Sequence, residues 1–202
     1  MKTITQTIEK PALEIWHDDC PESPREWDNL GTMLCVHQRY NLGDHSLDSW
    51  EHVAQHLATE AGIDRELYNE NMDVDVLTTK IEKSGGIVLP LYLYDHSGIT
   101  MNTTGFTCRW DSGQVGVIYV TGEKIKREYG KNTKKQREKV RQYLINEVGT
   151  YDSYLRGEVY GFTLYDNDGA IEDSCGGFYD LEDMKGHLPE EWVNEDLEEY
   201  LV

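Results

Sequence analysis

The chain has 202 residues, 38% of them hydrophobic and 28% charged, with 13 Tyr, 5 Trp and 3 Phe. That content excludes a wholly disordered chain and suffices for one core without metal or disulfide staples. A formal net charge of −19 excludes a general nucleic-acid-binding surface, because the field of such a protein repels phosphate.

The charge is unevenly placed. Residues 1–122 hold 19 acids and 8 bases, residues 123–146 hold 3 acids and 9 bases, and residues 147–202 hold 16 acids and 2 bases. A nucleic-acid face could therefore only be local, and no direct nucleic-acid binding is expected of the rest. The first 16 residues show no uninterrupted apolar stretch and no small-residue cleavage site, and nowhere do about 18 apolar residues run together. A cytoplasmic protein with no membrane contact is expected, its Cys20, Cys35, Cys108 and Cys175 reduced, since no two form a CxxC pair.

In chain order, Ala12–Trp16 reads as a strand, followed by an acidic, proline-bearing loop, and Thr32–Tyr40 as the next strand. From Ser46 the apolar residues Leu47, Trp50, Val53, Ala54, Leu57 and Ala61 recur at helical spacing and stop at Gly62. Val74, Leu77 and Ile81 predict a second helix ending at Gly85-Gly86. Ile87–Tyr94 is a strand whose Pro90 places it at an edge or a bulge, and Phe106–Trp110 and Val115–Thr121 are read as further strands. Gly122–Gly149 reads as a helix broken near Gly130–Thr133, with the basic island on it. Asn167-Asp168-Gly169 marks a hairpin, because its turn needs positive φ. The chain closes with an acidic amphipathic helix over residues 189–202, expected to bury Trp192, Val193, Leu197, Tyr200 and Leu201. The pattern as a whole predicts a single α+β domain over residues 1–202, with a mainly antiparallel sheet packed by a few helices.

Several residues carry possible chemistry. His52 and His56 lie four apart on the first helix, a spacing that puts both rings on one face and could hold a divalent metal. HVAQH, however, lacks the glutamate of a zinc-protease helix, and a solvated helix face is the simpler account. The first loop concentrates Asp18, Asp19, Glu22, Glu26 and Asp28, oxygen ligands for a hard cation or a surface for a partner. Asp95, His96 and Asp111 invite a metal-assisted hydrolytic reading, although neither a GxSxG elbow nor a phosphate loop is present. Cys35 or Cys108 with His37 could supply a nucleophile and base, but buried cysteine is commoner. The nine Lys and Arg of residues 123–146 could contact phosphates; ion pairing with the acidic arms is the alternative. No cofactor is expected.

The strings SPREWDNLGTMLCVHQRYNLGD, LPLYLYDHSGITM, WDSGQVGVIYVTGEKI, EVYGFTLYD and DSCGGFYD resemble an uncharacterised family of small proteins encoded by phages, prophages and plasmids. The resemblance spans about residues 22–180 and implies a mobile element acting inside a prokaryotic cell. In that setting the acidity suggests an anti-defence protein that mimics DNA and inhibits a host DNA-handling protein. Its carboxylates would enter a basic groove built for about one phosphate charge per 1.7 Å of duplex axis. Glu190, Glu191, Glu195, Asp196, Glu198 and Glu199 of the last helix, with the acids of the first loop, are the expected contacts. The competing readings are a hydrolase using the Asp and His residues of the loops, and a structural or assembly protein whose acidity serves solubility.

Overall fold

The computed structural model describes residues 12–64, 68–69 and 72–202. Residues 1–11, on which the expectation of no leader partly rests, lie outside the described residues. In chain order the elements are β1 (Ala12–His17), β2 (Thr32–Val36), β3 (His45–Leu47), α1 (Trp50–Glu60), α2 (Val74–Lys83), β4 (Ile87–Asp95), β5 (Ile99–Asn102), β6 (Ser112–Val120), α3 (Gly122–Tyr129), α4 (Lys134–Arg156), β7 (Tyr160–Tyr165), β8 (Ile171–Phe178) and α5 (Leu181–Lys185). The fold is α+β with mainly antiparallel strands, which lie in two sheets. Two compact units result: Ser23–Leu155, and Met1–Glu22 with Arg156–Val202.

The larger unit is built on a five-stranded sheet of order β3-β2-β6-β4-β5, antiparallel except where β2 meets β3. Strand alternation divides its apolar residues between two faces. Met33, Cys35, Leu89, Leu91, Ile118 and Val120 pack with Ile125 of α3 and Val140, Leu144 and Val148 of α4. Leu34, Val88, Val117 and Tyr119 pack on the other side with Val53 and Leu57 of α1 and Leu77 and Ile81 of α2. Each fully buried aliphatic side chain contributes about 1.5–3 kcal/mol.

The helix signals act where the periodicity predicts. Ser49 caps α1 by accepting from His52 N (3.3 Å), Asp73 caps α2 and Thr121 caps α3, while Gly130 ends α3 at φ 69°. Helix α1 starts at Trp50 rather than Ser46, because Ser46 and Leu47 belong to β3. Helix α4 runs seven residues past Gly149, carried by the buried Val148 and Tyr151. Pro90 is tolerated in β4 because β5 pairs only with Tyr92–Asp95, so at Pro90 the strand has one neighbour, β6. A register shift follows at once, between Leu91 and Tyr92. Phe106–Trp110, expected as a strand, is an irregular loop, and the partner of β4 is instead the short β5.

The smaller unit is an antiparallel sheet of order β1-β7-β8. One face buries Leu13, Ile15, Phe162, Leu164 and Phe178 against Met184 of α5 and Leu188, Trp192 and Leu197 of the chain end. The β7–β8 hairpin turns at Gly169, φ 79°, as Asn-Asp-Gly requires. The opposite face bears no core cluster among the described residues. On it the Trp16 indole lies against Gly161, where a Cβ would sit 2.3 Å from the ring, and its Nε1 donates to Thr163 Oγ1 (3.2 Å).

The expected helix over residues 189–202 does not form. Glu190–Trp192 and Leu197–Tyr200 are separate 3-10 turns, the second capped by Asp196, whose side chain accepts from Glu198 N (3.1 Å). That local bond competes with a continuous helix. Val202 N then donates to Ile15 O (2.9 Å), beside an Ile15–Leu201 bridge, so the last residues follow β1. Trp192 and Leu197 are buried as expected and Tyr200 partly so, but Val193 and Leu201 are exposed.

Candidate functional site

The smaller unit carries 19 acids against 4 bases, the larger 19 against 15, so −15 of the −19 charge falls on 69 residues. Of the smaller unit's 18 described acids, 15 are exposed, Glu190, Glu191, Asp196, Glu198 and Glu199 among them, while Asp18, Glu158 and Glu195 are half-buried. Its two described cations are both paired, Arg156 with Glu158 and Lys185 with Glu182 (2.8 Å). Within the unit, no described cation is therefore left over to neutralise the exposed carboxylates. All of Ile171–Gly177, including Glu172 and Asp173, is exposed on the edge strand β8. On the face opposite that core, Glu14 accepts from the Tyr165 hydroxyl (2.8 Å), and this carboxylate holds the phenol pKa up.

The first loop is divided between the units. Asp18, Asp19 and Glu22 belong to the smaller, where Asp18 N donates to Val159 O (2.8 Å) and the Tyr179 hydroxyl donates to Glu22 O. Glu26 and Asp28 are exposed on the larger unit. There the loop is pinned by a residue that sequence reasoning passed over. The Arg25 side chain, 4% exposed, donates from Nε and Nη2 to the two oxygens of Asp44 (2.8 Å each) and from Nη1 to Glu147 Oε2 (3.2 Å). It also donates to Gly31 O (2.8 Å), while Glu147 accepts from Leu30 N (2.8 Å) and Asp44 from Met33 N (2.7 Å). A lone arginine in an acidic loop gives no sequence sign of such a role.

Asp95, His96 and Asp111 do come together. Asp95 N donates to Asp111 O (2.8 Å), and His96 Nδ1 lies 3.4 Å from Asp111 Oδ2, to which the Cys108 thiol also points (3.6 Å). Asp95 is engaged by Arg39 and by the Tyr40 hydroxyl (3.4 Å). The Asp111 carboxylate therefore stands between the thiol and the imidazole, the reverse of a base-activated nucleophile. Cys35, the other candidate, is fully buried, and burial pushes its thiol up to about 12.

His52 and His56 diverge in role. His52 is exposed near Asp48, whereas His56 is half-buried, with Nε2 3.0 Å from the Tyr119 hydroxyl and its ring 5.1 Å from that of His45. Burial, and then the His45 charge, lower the His56 pKa. These rings border a cavity of about 300 Å3 with Thr32, Glu60 and Lys124. Among the described residues no three His, Cys, Asp or Glu side chains converge so as to hold a metal ion, so neither pair gains the third ligand that a hydrolytic metal centre needs.

The basic island lies on α3, α4 and the turn between them. Lys126, Lys131, Lys134, Lys135, Lys139 and Arg141 enter no ion pair among the described residues. Lys124 donates to Asn29 O (3.0 Å) and Arg137 to the Asn132 side chain (3.1 Å). No helix among the described residues is long and apolar enough to cross a membrane. Comparison with known protein families, with curated proteins and with solved structures found no match to this chain.

Proposed function

We propose that the chain is a mobile-element accessory protein that binds and inhibits a host DNA-handling or defence protein, presenting the acidic smaller unit in place of DNA. The observation that carries this reading is the segregation of charge: −15 on 69 residues, with 15 exposed carboxylates. Such a surface steers toward a basic groove and matches it in sign. The mimicking charges come from strand edges, turns and the two 3-10 segments rather than from one helix. The resemblance to proteins of phages, prophages and plasmids supplies the setting in which such an inhibitor is useful. The hydrolase reading lacks a third ligand or a correctly ordered nucleophile and base.

Affinity capture from a prokaryotic host lysate tests the reading. A basic, nucleic-acid-associated protein is expected to be retained at about 50 mM salt, lost by about 200 mM, and displaced by duplex DNA. Retention of a partner that duplex DNA does not displace would count against mimicry.

A further inference from the structure

We propose that a groove on the larger unit binds single-stranded nucleic acid. Trp27, Tyr129 and Tyr143 line this groove of about 330 Å3. These residues are 44%, 37% and 47% exposed, in a unit that buries Tyr119 and Tyr151 almost completely. Tyr129 and Tyr143 lie nearly parallel, 9° apart with centroids 6.4 Å from each other. The two rings stand at the end of α3 and the middle of α4.

The third wall is held in place. Arg25, two residues before Trp27, is fixed by Asp44, Glu147 and Gly31, and Asn29 Nδ2 donates to Pro24 O (2.8 Å) and Trp27 O (3.0 Å). A ligand would meet a preformed groove and would not bear the cost of ordering the loop.

Lys126 stands one helical turn before Tyr129, and Lys139 one turn before Tyr143; residues three or four apart share a helix face. Both lysines are exposed and neither is ion-paired among the described residues. Of the acids at the groove, Glu147 is engaged by Arg25 and by the N–H groups of Leu30 and Gly31, Glu128 beside Tyr129 pairs with Arg127 (3.2 Å), and Asp28 is exposed in the lining. Flat aromatic rings beside unpaired lysines are the elements that hold a single strand: bases stack on the rings and phosphates meet the cations. In a duplex the bases stack on each other and are unavailable to the rings. The −19 total does not forbid this, because at a Debye length of about 8 Å the nearest charges dominate. The groove would be a local exception to the expectation of no nucleic-acid contact.

Fluorescence anisotropy of a labelled oligothymidine with the full chain tests the site. Saturable binding at about 50 mM salt that weakens as salt rises is expected, with a labelled duplex binding at least tenfold more weakly. Tyr129→Ala with Tyr143→Ala should lower oligothymidine affinity about tenfold or more, and Lys126→Glu with Lys139→Glu should both weaken it and flatten its salt dependence. All four side chains are exposed, so circular dichroism should show unchanged folds. The proposal is overturned by no saturable binding, by binding that survives the tyrosine substitutions, or by duplex binding as tight as the single strand. Concentration-dependent self-association that the tyrosine substitutions abolish would also overturn it, by assigning the groove to a second copy of the chain.

Discussion

The two units contain the same number of acids but use their sheets in opposite ways. The larger covers both sheet faces with helices and offsets 19 acids with 15 bases; the smaller, among the described residues, packs a core on one face only and offsets 19 acids with 4 bases. A unit that carries −15 on 69 residues gives up stability to self-repulsion. Its core of Leu13, Ile15, Phe162, Leu164, Trp192 and Leu197 must offset that cost. The contrast teaches that most of the net acidity belongs to one unit rather than to the whole chain, an asymmetry that a partner-directed role uses and a general solubility role does not need.

The contrast can be broken one unit at a time. The largest effect is expected from Arg25→Ala, which leaves Asp44 and Glu147 facing each other in a largely buried site without their cation. Removing one partner of a buried ion cluster costs about 3–5 kcal/mol. Hydrogen exchange should show β2 and β6 losing protection while β7 keeps it; equal loss in both sheets would mean that the units do not open separately. The mirror experiment is Gly161→Ala, which places a methyl group 2.3 Å from the Trp16 ring. An overpacking cost of about 1–3 kcal/mol is expected, read as lost protection in β1 and β7 alone.

A smaller, pH-dependent effect belongs to His56. Burial lowers its folded pKa, so below the usual histidine value of about 6.5 the unfolded chain binds the proton first. Stability contributed by the neutral ring is thus full above that value and declines as pH falls from it toward the lower folded pKa. Urea midpoints measured across this range should fall toward acid for the parent and fall less for His56→Gln. Identical slopes would remove His56 from the account.

The local signals of the sequence reached the structure nearly intact. The Leu47–Ala61 periodicity became α1 once Ser49 capped it, Gly130 divided α3 from α4, and Asn167-Asp168-Gly169 turned the β7–β8 hairpin. What could not be read was remote. Ile15 pairs with Phe162, and no pattern within a window of a dozen residues can announce a partner so distant, so the second sheet and its separate core were invisible. The three- and four-residue strands β3 and β5 are too short for periodicity to register, and each is defined by its neighbour in the sheet. At the C-terminus, apolar spacing suggested a helix, but Asp196 bonded its own backbone neighbourhood instead. The acids of the candidate surface were legible as composition; their confinement to one unit was not, because the boundary at Glu22 cuts through the acidic loop itself.

The central claim, that binding resides in the acidic unit, is tested most directly by the dissociation constant of the captured partner for two charge-neutralised variants. One carries Glu190, Glu191, Glu198 and Glu199→Gln on the smaller unit. The other carries Asp48 and Asp64→Asn with Glu82 and Glu138→Gln, exposed acids of the larger. Both change the net charge equally, so total charge cannot distinguish them. The account predicts a loss of about tenfold or more for the first, equivalent to about 1.4 kcal/mol, and little change for the second; equal losses, or a larger loss in the second, would contradict it.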